Sequence, residues 1–392
     1  VGDVDQVIHK ASGADAKFMR TELAAHSQQA GHVLQRYPLT HSFRFSPALA
    51  RLAGQIAAKP YTSLAPHATT VAVQKYADNS DCAGLVVQEA LAWKAQAPAS
   101  KTRLDGFAVL LRHPHQSVQI ENALIEAGLP YSTRGFESYV LRPEVLFIRG
   151  LLAVATDDLR SVTVERTRAL VMRALVFFAE SHIQVEGREH ESQQDLLDDA
   201  VRSVTEAPSF LTHFFDNQVL RNAPGQTRQR LKAAVALIRG HVGPGLLQAL
   251  LKTLQIHALM HNVLTSQQRR HEAELNLTWL AQAAERFATP ALFFQHLNSI
   301  EEKQQAQPRG KSAATPKTAP PASLLLASIT SVKGLEFDAV VLPYLAQGEF
   351  PAPHAEADEE RNTFYVGITR ARQRLCLLAQ AERPSEFMRK MG

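Results

Sequence analysis

The residues best suited to chemistry are arginines at the end of an amphipathic stretch. Residues 359–372 read Glu-Glu-Arg-Asn-Thr-Phe-Tyr-Val-Gly-Ile-Thr-Arg-Ala-Arg, so Arg370 and Arg372 close the run. A planar guanidinium pairs bidentately with phosphate or carboxylate oxygens. Two of them carried out to a loop therefore point to an anionic ligand, whereas a single arginine there would only answer the helix dipole. Upstream, residues 329–338 read Ile-Thr-Ser-Val-Lys-Gly-Leu-Glu-Phe-Asp. Gly334 lets the backbone bend tightly beside a ligand, and the Glu336 carboxylate can accept hydrogen bonds from sugar hydroxyls. Taken alone, this second stretch reads equally well as a strand–turn–strand connection with a surface carboxylate.

The elements that must position these residues follow from periodicity. Residues 69–76 alternate and are β-rich, and Phe107-Ala108-Val109-Leu110-Leu111 is almost wholly apolar, as in a strand buried on both faces of a parallel sheet. Helices are expected over 81–97, over 116–127 ending at Gly128, and over 142–155. Ser46 before Pro47 predicts a helix start. Strands are expected again at 324–329, 338–343 and 374–379, with a helix at 356–369 whose first turn is acidic, as the dipole favours. Between them, residues 158–300 read as helical, broken at Gly243-Pro244-Gly245. Residues 301–323 contain four prolines and no large apolar side chain, the composition of a flexible linker. The fold class is thus α/β, one parallel sheet interrupted by a mostly helical insertion.

Composition narrows the class. The chain has 392 residues, enough for two or three domains, and its 45% hydrophobic and 20% charged content is that of an ordinary globular protein. No apolar run approaches the ~18 residues that a bilayer span requires, and the chain opens without a signal-peptide pattern. Two distant cysteines, Cys82 and Cys376, exclude a CxxC zinc site or a disulfide framework and fit a reducing cytoplasm. The net charge of +4 is compatible with a phosphate-backbone partner.

Residues 329–338 and 359–372 together resemble motifs V and VI of superfamily 1 DNA helicases of the UvrD/Rep type. Two more stretches extend the resemblance. Residues 1–14 are similar to motif III, with Gln6 at the glutamine that senses the γ-phosphate. Residues 39–46 are similar to motif IV, with Phe43 at the aromatic that stacks on adenine and Arg44 at a phosphate-binding arginine. The resemblance implies a RecA-like second motor domain that uses ATP and Mg²⁺ and acts on single-stranded or duplex DNA with 3′→5′ polarity. Arg44 and Arg370 would be arginine fingers, Glu336 and Gly334 would lie at the nucleotide, and Thr330, Lys333 and Arg112 would face DNA. Thr330 stands where the family has histidine. His9, Ala11 and Ser12 replace a tyrosine, a base-stacking aromatic and an arginine of motif III.

By this resemblance residues 1–38 are the remnant of a first motor domain, 39–157 and 324–392 the two parts of the second, 158–300 the helical insertion and 301–323 the linker. The phosphate loop and the acidic magnesium motif are not recognisable, so ATP and Mg²⁺ would be held mainly by an N-terminal motor domain outside this sequence, and the present chain alone would be inactive. A non-catalytic DNA- or protein-binding module derived from a helicase is the competing reading; the motor of a helicase–nuclease assembly is a third. Two other patterns carry no chemistry. Gly310-Lys311-Ser312 lacks the glycine a phosphate loop needs at position 305, which is Gln305. His257 and His261, one turn apart, lack the glutamate and third ligand of a metal site.

Overall fold

The computed structural model describes residues 3–9, 12–35, 37, 41–96, 103–306, 323–353 and 355–391. Ala11 and the Gly310-Lys311-Ser312 pattern lie outside the described residues. The chain divides into two compact units, one comprising Val1–His113, Glu126–Phe136 and Pro321–Gly392, the other Pro114–Ile125 and Glu137–Pro320.

Among its described residues the first unit carries eight strands. They are β1 (His41–Ser42), β2 (Thr62–Ser63), β3 (Thr70–Tyr76), β4 (Phe107–Leu111), β5 (Tyr131–Arg134), β6 (Leu324–Ser328), β7 (Phe337–Leu345) and β8 (Ala371–Gln380). Six form one sheet in the order β3-β8-β7-β4-β6-β5, with every neighbouring pair parallel. The fold is the RecA-like α/β sheet expected. All five residues of β4 are buried, which is why that strand is apolar without alternation. Strands β1 and β2 form a separate parallel pair that the sequence pattern does not announce.

The Ala357–Ile368 helix runs back along this sheet, with Asp358, Glu359 and Glu360 in its first turn. At Gly367 the helix packs tightly on the sheet, since a Cβ there would meet the Leu342 side chain at 3.1 Å. Phe364 stacks on Phe387 at 4.6 Å, and Phe350 meets both rings edge-on. The Pro47–Ala57 helix contributes Leu49, Ala53 and Ile56 to the same core. Ser46 occupies the position before Pro47, but its side chain makes no capping bond; its backbone N–H is held by Thr69 instead.

The second unit is helical, with no strand among its described residues. It takes in residues 137–157, which the sequence pattern groups with the sheet. The reason is the Pro143–Thr156 helix, buried around its whole circumference at Val145, Phe147, Ile148 and Leu151. Gly243-Pro244-Gly245 separates the Gly225–Gly240 helix from Leu246–Leu254, with Gly243 and Gly245 at positive φ. The Pro290–Ala306 helix runs six residues into the stretch expected to be linker. Buried polar groups knit the helices: Arg142 donates to Asn276 Oδ1 at 2.6 Å and Ser117 Oγ at 2.7 Å, and Arg149 pairs with Glu301 at 3.0 Å.

Candidate functional site

Strands β7 and β8 begin side by side, with Phe337 opposite Ala371 in their register. Glu336 immediately precedes one strand and Arg370 the other, so topology alone brings two residues 34 positions apart to one sheet edge, here the end at which these parallel strands begin. Arg44 arrives from a third direction, in the bend between β1 and the Pro47–Ala57 helix. Its Nε donates to Glu336 Oε2 at 2.7 Å and its Nη1 to the Thr369 carbonyl at 3.0 Å. Arg372 Nη1 lies 3.5 Å from the other Glu336 oxygen. Arg370 touches the same threonine, donating to Thr369 Oγ1 at 3.1 Å. The two guanidinium groups therefore converge on one spot.

Arg370 is only 1% exposed. Its remaining donors go to the carbonyls of Val366 at 3.0 Å and Leu335 at 3.1 Å, and to Gln6 Oε1 at 3.5 Å. Among the described residues these are all neutral acceptors, with no carboxylate at ion-pair distance. Burial, and then the nearby charge of Arg44, pulls its pKa down to about 10, so it remains a cation at neutral pH. A buried cation with no carboxylate in direct contact is costly, and Glu336 offsets that cost only at a distance. Glu336 is the reverse case. The hydrogen bond from Arg44 holds its carboxyl below the ordinary value, with Arg44, Arg372 and Arg370 adding charge attraction.

Gln6 sits on the short helical turn Val4–Gln6, which is fastened at several points. Asp3 accepts from the Asp5 N–H and from Gln6 Nε2. Lys59 pairs with both Asp3 and Asp5 and lies over the rings of Tyr61 and Tyr365 at 5.7 and 5.3 Å. Asn362 donates to the carbonyls of Val4 and Val7, at 3.4 and 3.2 Å. Sequence inspection singles out neither Lys59 nor Asn362, because their role depends on contacts across more than fifty positions.

The other candidate residues are placed as follows. Phe43 is 69% exposed beside Arg44, an open aromatic face. Gly334 has φ +89°, a conformation that requires glycine in this turn. Lys333 is exposed, and Thr330 is half-buried with its hydroxyl 3.2 Å from Ser328 Oγ. Arg112 follows the far end of β4, where Glu360 holds it through Nε at 2.9 Å and through Nη2. It therefore stands at the opposite sheet edge from Arg370. His9 and Ser12 are exposed. His257 pairs with Glu274 at 2.6 Å, and no group of three or more potential metal ligands occurs among the described residues.

A family model for the UvrD-like helicase C-terminal domain matches residues 61–382. The chain belongs to the UvrD-like helicase C-terminal domain family. Among curated relatives it is 27% identical to the ATP-dependent DNA helicase UvrD2 of Mycobacterium tuberculosis, over 99% of this chain and 45% of that protein. It is 26% identical to the ATP-dependent DNA helicase PcrA of Bacillus subtilis, over 71% of this chain and 37% of the relative. With UvrD1 of M. tuberculosis it shares 24% identity, over 96% of this chain and 49% of the relative. The UvrD-like chain thus spans less than half the length of these relatives. The sheet edge carrying Arg44, Glu336 and Arg370 falls within its RecA-like unit. No described helix is long and apolar enough to cross a membrane.

Proposed function

We propose that this chain is the C-terminal part of an ATP-dependent DNA helicase or translocase with 3′→5′ polarity. Arg44 and Arg370 are its arginine fingers. The reading rests above all on Arg370, a buried guanidinium surrounded by neutral oxygens and close to a second guanidinium. Such a pair suits the developing charge of a transferring phosphoryl group. ATP and Mg²⁺ are held mainly by an N-terminal motor domain; the donors at this edge suit phosphate oxygens, and the described residues present no carboxylate cluster suited to Mg²⁺.

In this reading Glu336 holds Arg44 in place and takes the ribose hydroxyls, while the exposed Phe43 stacks on the base. Gln6 contacts Arg370 directly and so couples the state of the phosphate to its own turn. The Phe18–Glu22 and Leu23–Gln29 helical segments support a partner body, since they bury none of their side chains and leave Phe18 56% exposed. Drawing the two motor domains together around ATP and releasing them after hydrolysis is a hinge motion. Lys333, Thr330 and Arg112 form the proposed DNA-facing set, with Arg112 pre-oriented by Glu360.

Replacement of the motif III aromatic and arginine by Ala11 and Ser12 favours a second reading, a DNA- or protein-binding module without its own ATPase. The deciding measurement is steady-state ATP hydrolysis by this chain joined to its N-terminal motor domain, with Arg370→Ala and Arg44→Ala beside the parent. Loss of an arginine finger is expected to lower kcat by about 10³-fold or more. Unchanged turnover in both variants would remove the finger assignment, and an N-terminal region without a phosphate loop would favour the module.

A further inference from the structure

Arg44 and Arg370 lie more than three hundred residues apart, and something must set the distance between the segments that carry them. One buried hydroxyl does so. Thr69, 6% exposed, sits immediately before β3, the strand that pairs with β8. The Ser46 N–H donates to Thr69 Oγ1 at 2.8 Å, and Thr69 Oγ1 donates to the Arg372 carbonyl at 2.6 Å. An amide N–H can only donate and a carbonyl can only accept, so the direction of both bonds is fixed. One oxygen atom thus bridges the residue two after Arg44 and the residue two after Arg370.

The surrounding segment reinforces the bridge. His67 Nε2 lies 3.0 Å from the Arg44 carbonyl, which accepts its proton. Ser63 Oγ donates to the Ser42 carbonyl at 2.9 Å, fastening the other end of the Arg44 bend. We propose that Thr69, supported by His67, is a positioning residue that holds the two arginines in register for one phosphate chain. The inference rests on the reading of Arg44 and Arg370 as phosphate ligands. It adds that their spacing is set by the 62–69 segment as well as by the motifs that carry them.

The test uses the 392-residue chain, ¹⁵N-labelled at arginine, titrated with inorganic tripolyphosphate well below its Tm. In the parent, the Nε–Hε signals of Arg44 and Arg370 are expected to shift together with one apparent affinity. Arg44→Ala and Arg370→Ala each weaken binding by about tenfold or more, the loss of charge-assisted hydrogen bonds. Thr69→Val keeps the shape, deletes both bonds and weakens binding by about three- to tenfold. In that variant the two signals no longer titrate together, and Thr69→Ser restores both properties. A residue that served stability alone would lower Tm and leave low-temperature affinity unchanged. Parent-like binding by Thr69→Val, or a Thr69→Ser variant as weak as Thr69→Val, overturns the inference. Parent-like binding by both arginine variants, or no binding by the parent, overturns the phosphate reading itself and the inference with it.

Discussion

The Arg44 side chain is held at two points, by the Glu336 carboxylate and the Thr369 carbonyl. Glu336 is 43% exposed at its side chain, so solvent screens the pair and its contribution to stability is small. Its value lies in orientation. The direction of its pH response follows from the lowered Glu336 pKa. A depressed carboxyl pKa contributes stability above the unfolded value, about 4.3, and that contribution is lost as pH falls through the folded value. The Arg44 Nε–Hε signal is therefore expected to move with a midpoint below the ordinary glutamate value. A midpoint at or above that value would mean that the pair is not formed in solution. The same residue was legible in sequence through its resemblance to the arginine of motif IV. Its carboxylate partner was also legible as a candidate, but the bond between them was not, because 292 positions separate the two.

At the scale of elements, helix ends and strand starts do most of the positioning. Arg370 is where it is because the Ala357–Ile368 helix ends two residues before it and β8 begins one residue after it. The helical unit uses a different device, buried charge. Arg149 is fully buried, donates to Val140 O and Asn298 Oδ1, and pairs with Glu301, itself 3% exposed. Removing one member of such a pair strands the other in a poor solvent. Glu301→Ala is expected to destabilise the chain by about 3–5 kcal/mol in urea unfolding, and the double replacement Arg149→Met with Glu301→Leu to recover most of that loss. Equal losses in the single and double variants would show that packing volume, rather than the stranded charge, sets the cost. The apolar run around Arg149 signals burial, but nothing in the local sequence names its partner, since the acid that neutralises it lies 152 residues away.

For the whole molecule, the proposed function makes the arginine-bearing end of the sheet the cationic half of a phosphate site. Hydrolysis needs the magnesium-binding half within a few ångströms of the same phosphate. The chain alone is accordingly expected to show no ATP turnover above a blank, measured by phosphate release on protein cleared of contaminating ATPases. Turnover that co-purifies with the chain and disappears in Arg370→Ala would mean that these residues assemble a complete site by themselves.

The amino-acid sequence by itself determined most of the strand and helix sequence of the RecA-like unit, β1, β2 and β5 excepted, because β4 and the Ala357–Ile368 helix carry their burial pattern and charge bias locally. It also marked Gly334 as a turn that needs glycine, a short-range backbone requirement. What tertiary structure decided was which charges meet. Parallel strands start at a common end of the sheet, so Glu336 and Arg370 are gathered by topology, and Arg44 reaches them from the bend after β1. Arg112, equally basic in sequence, is sent to the other edge and bound there by Glu360. Tertiary structure also assigned the Pro143–Thr156 helix to the helical unit and recruited Thr69, Lys59 and Asn362 to the arginine edge and the Gln6 turn. Local patterns report which face of an element is buried, whereas pairing between distant side chains exists only once the sheet has closed over its core.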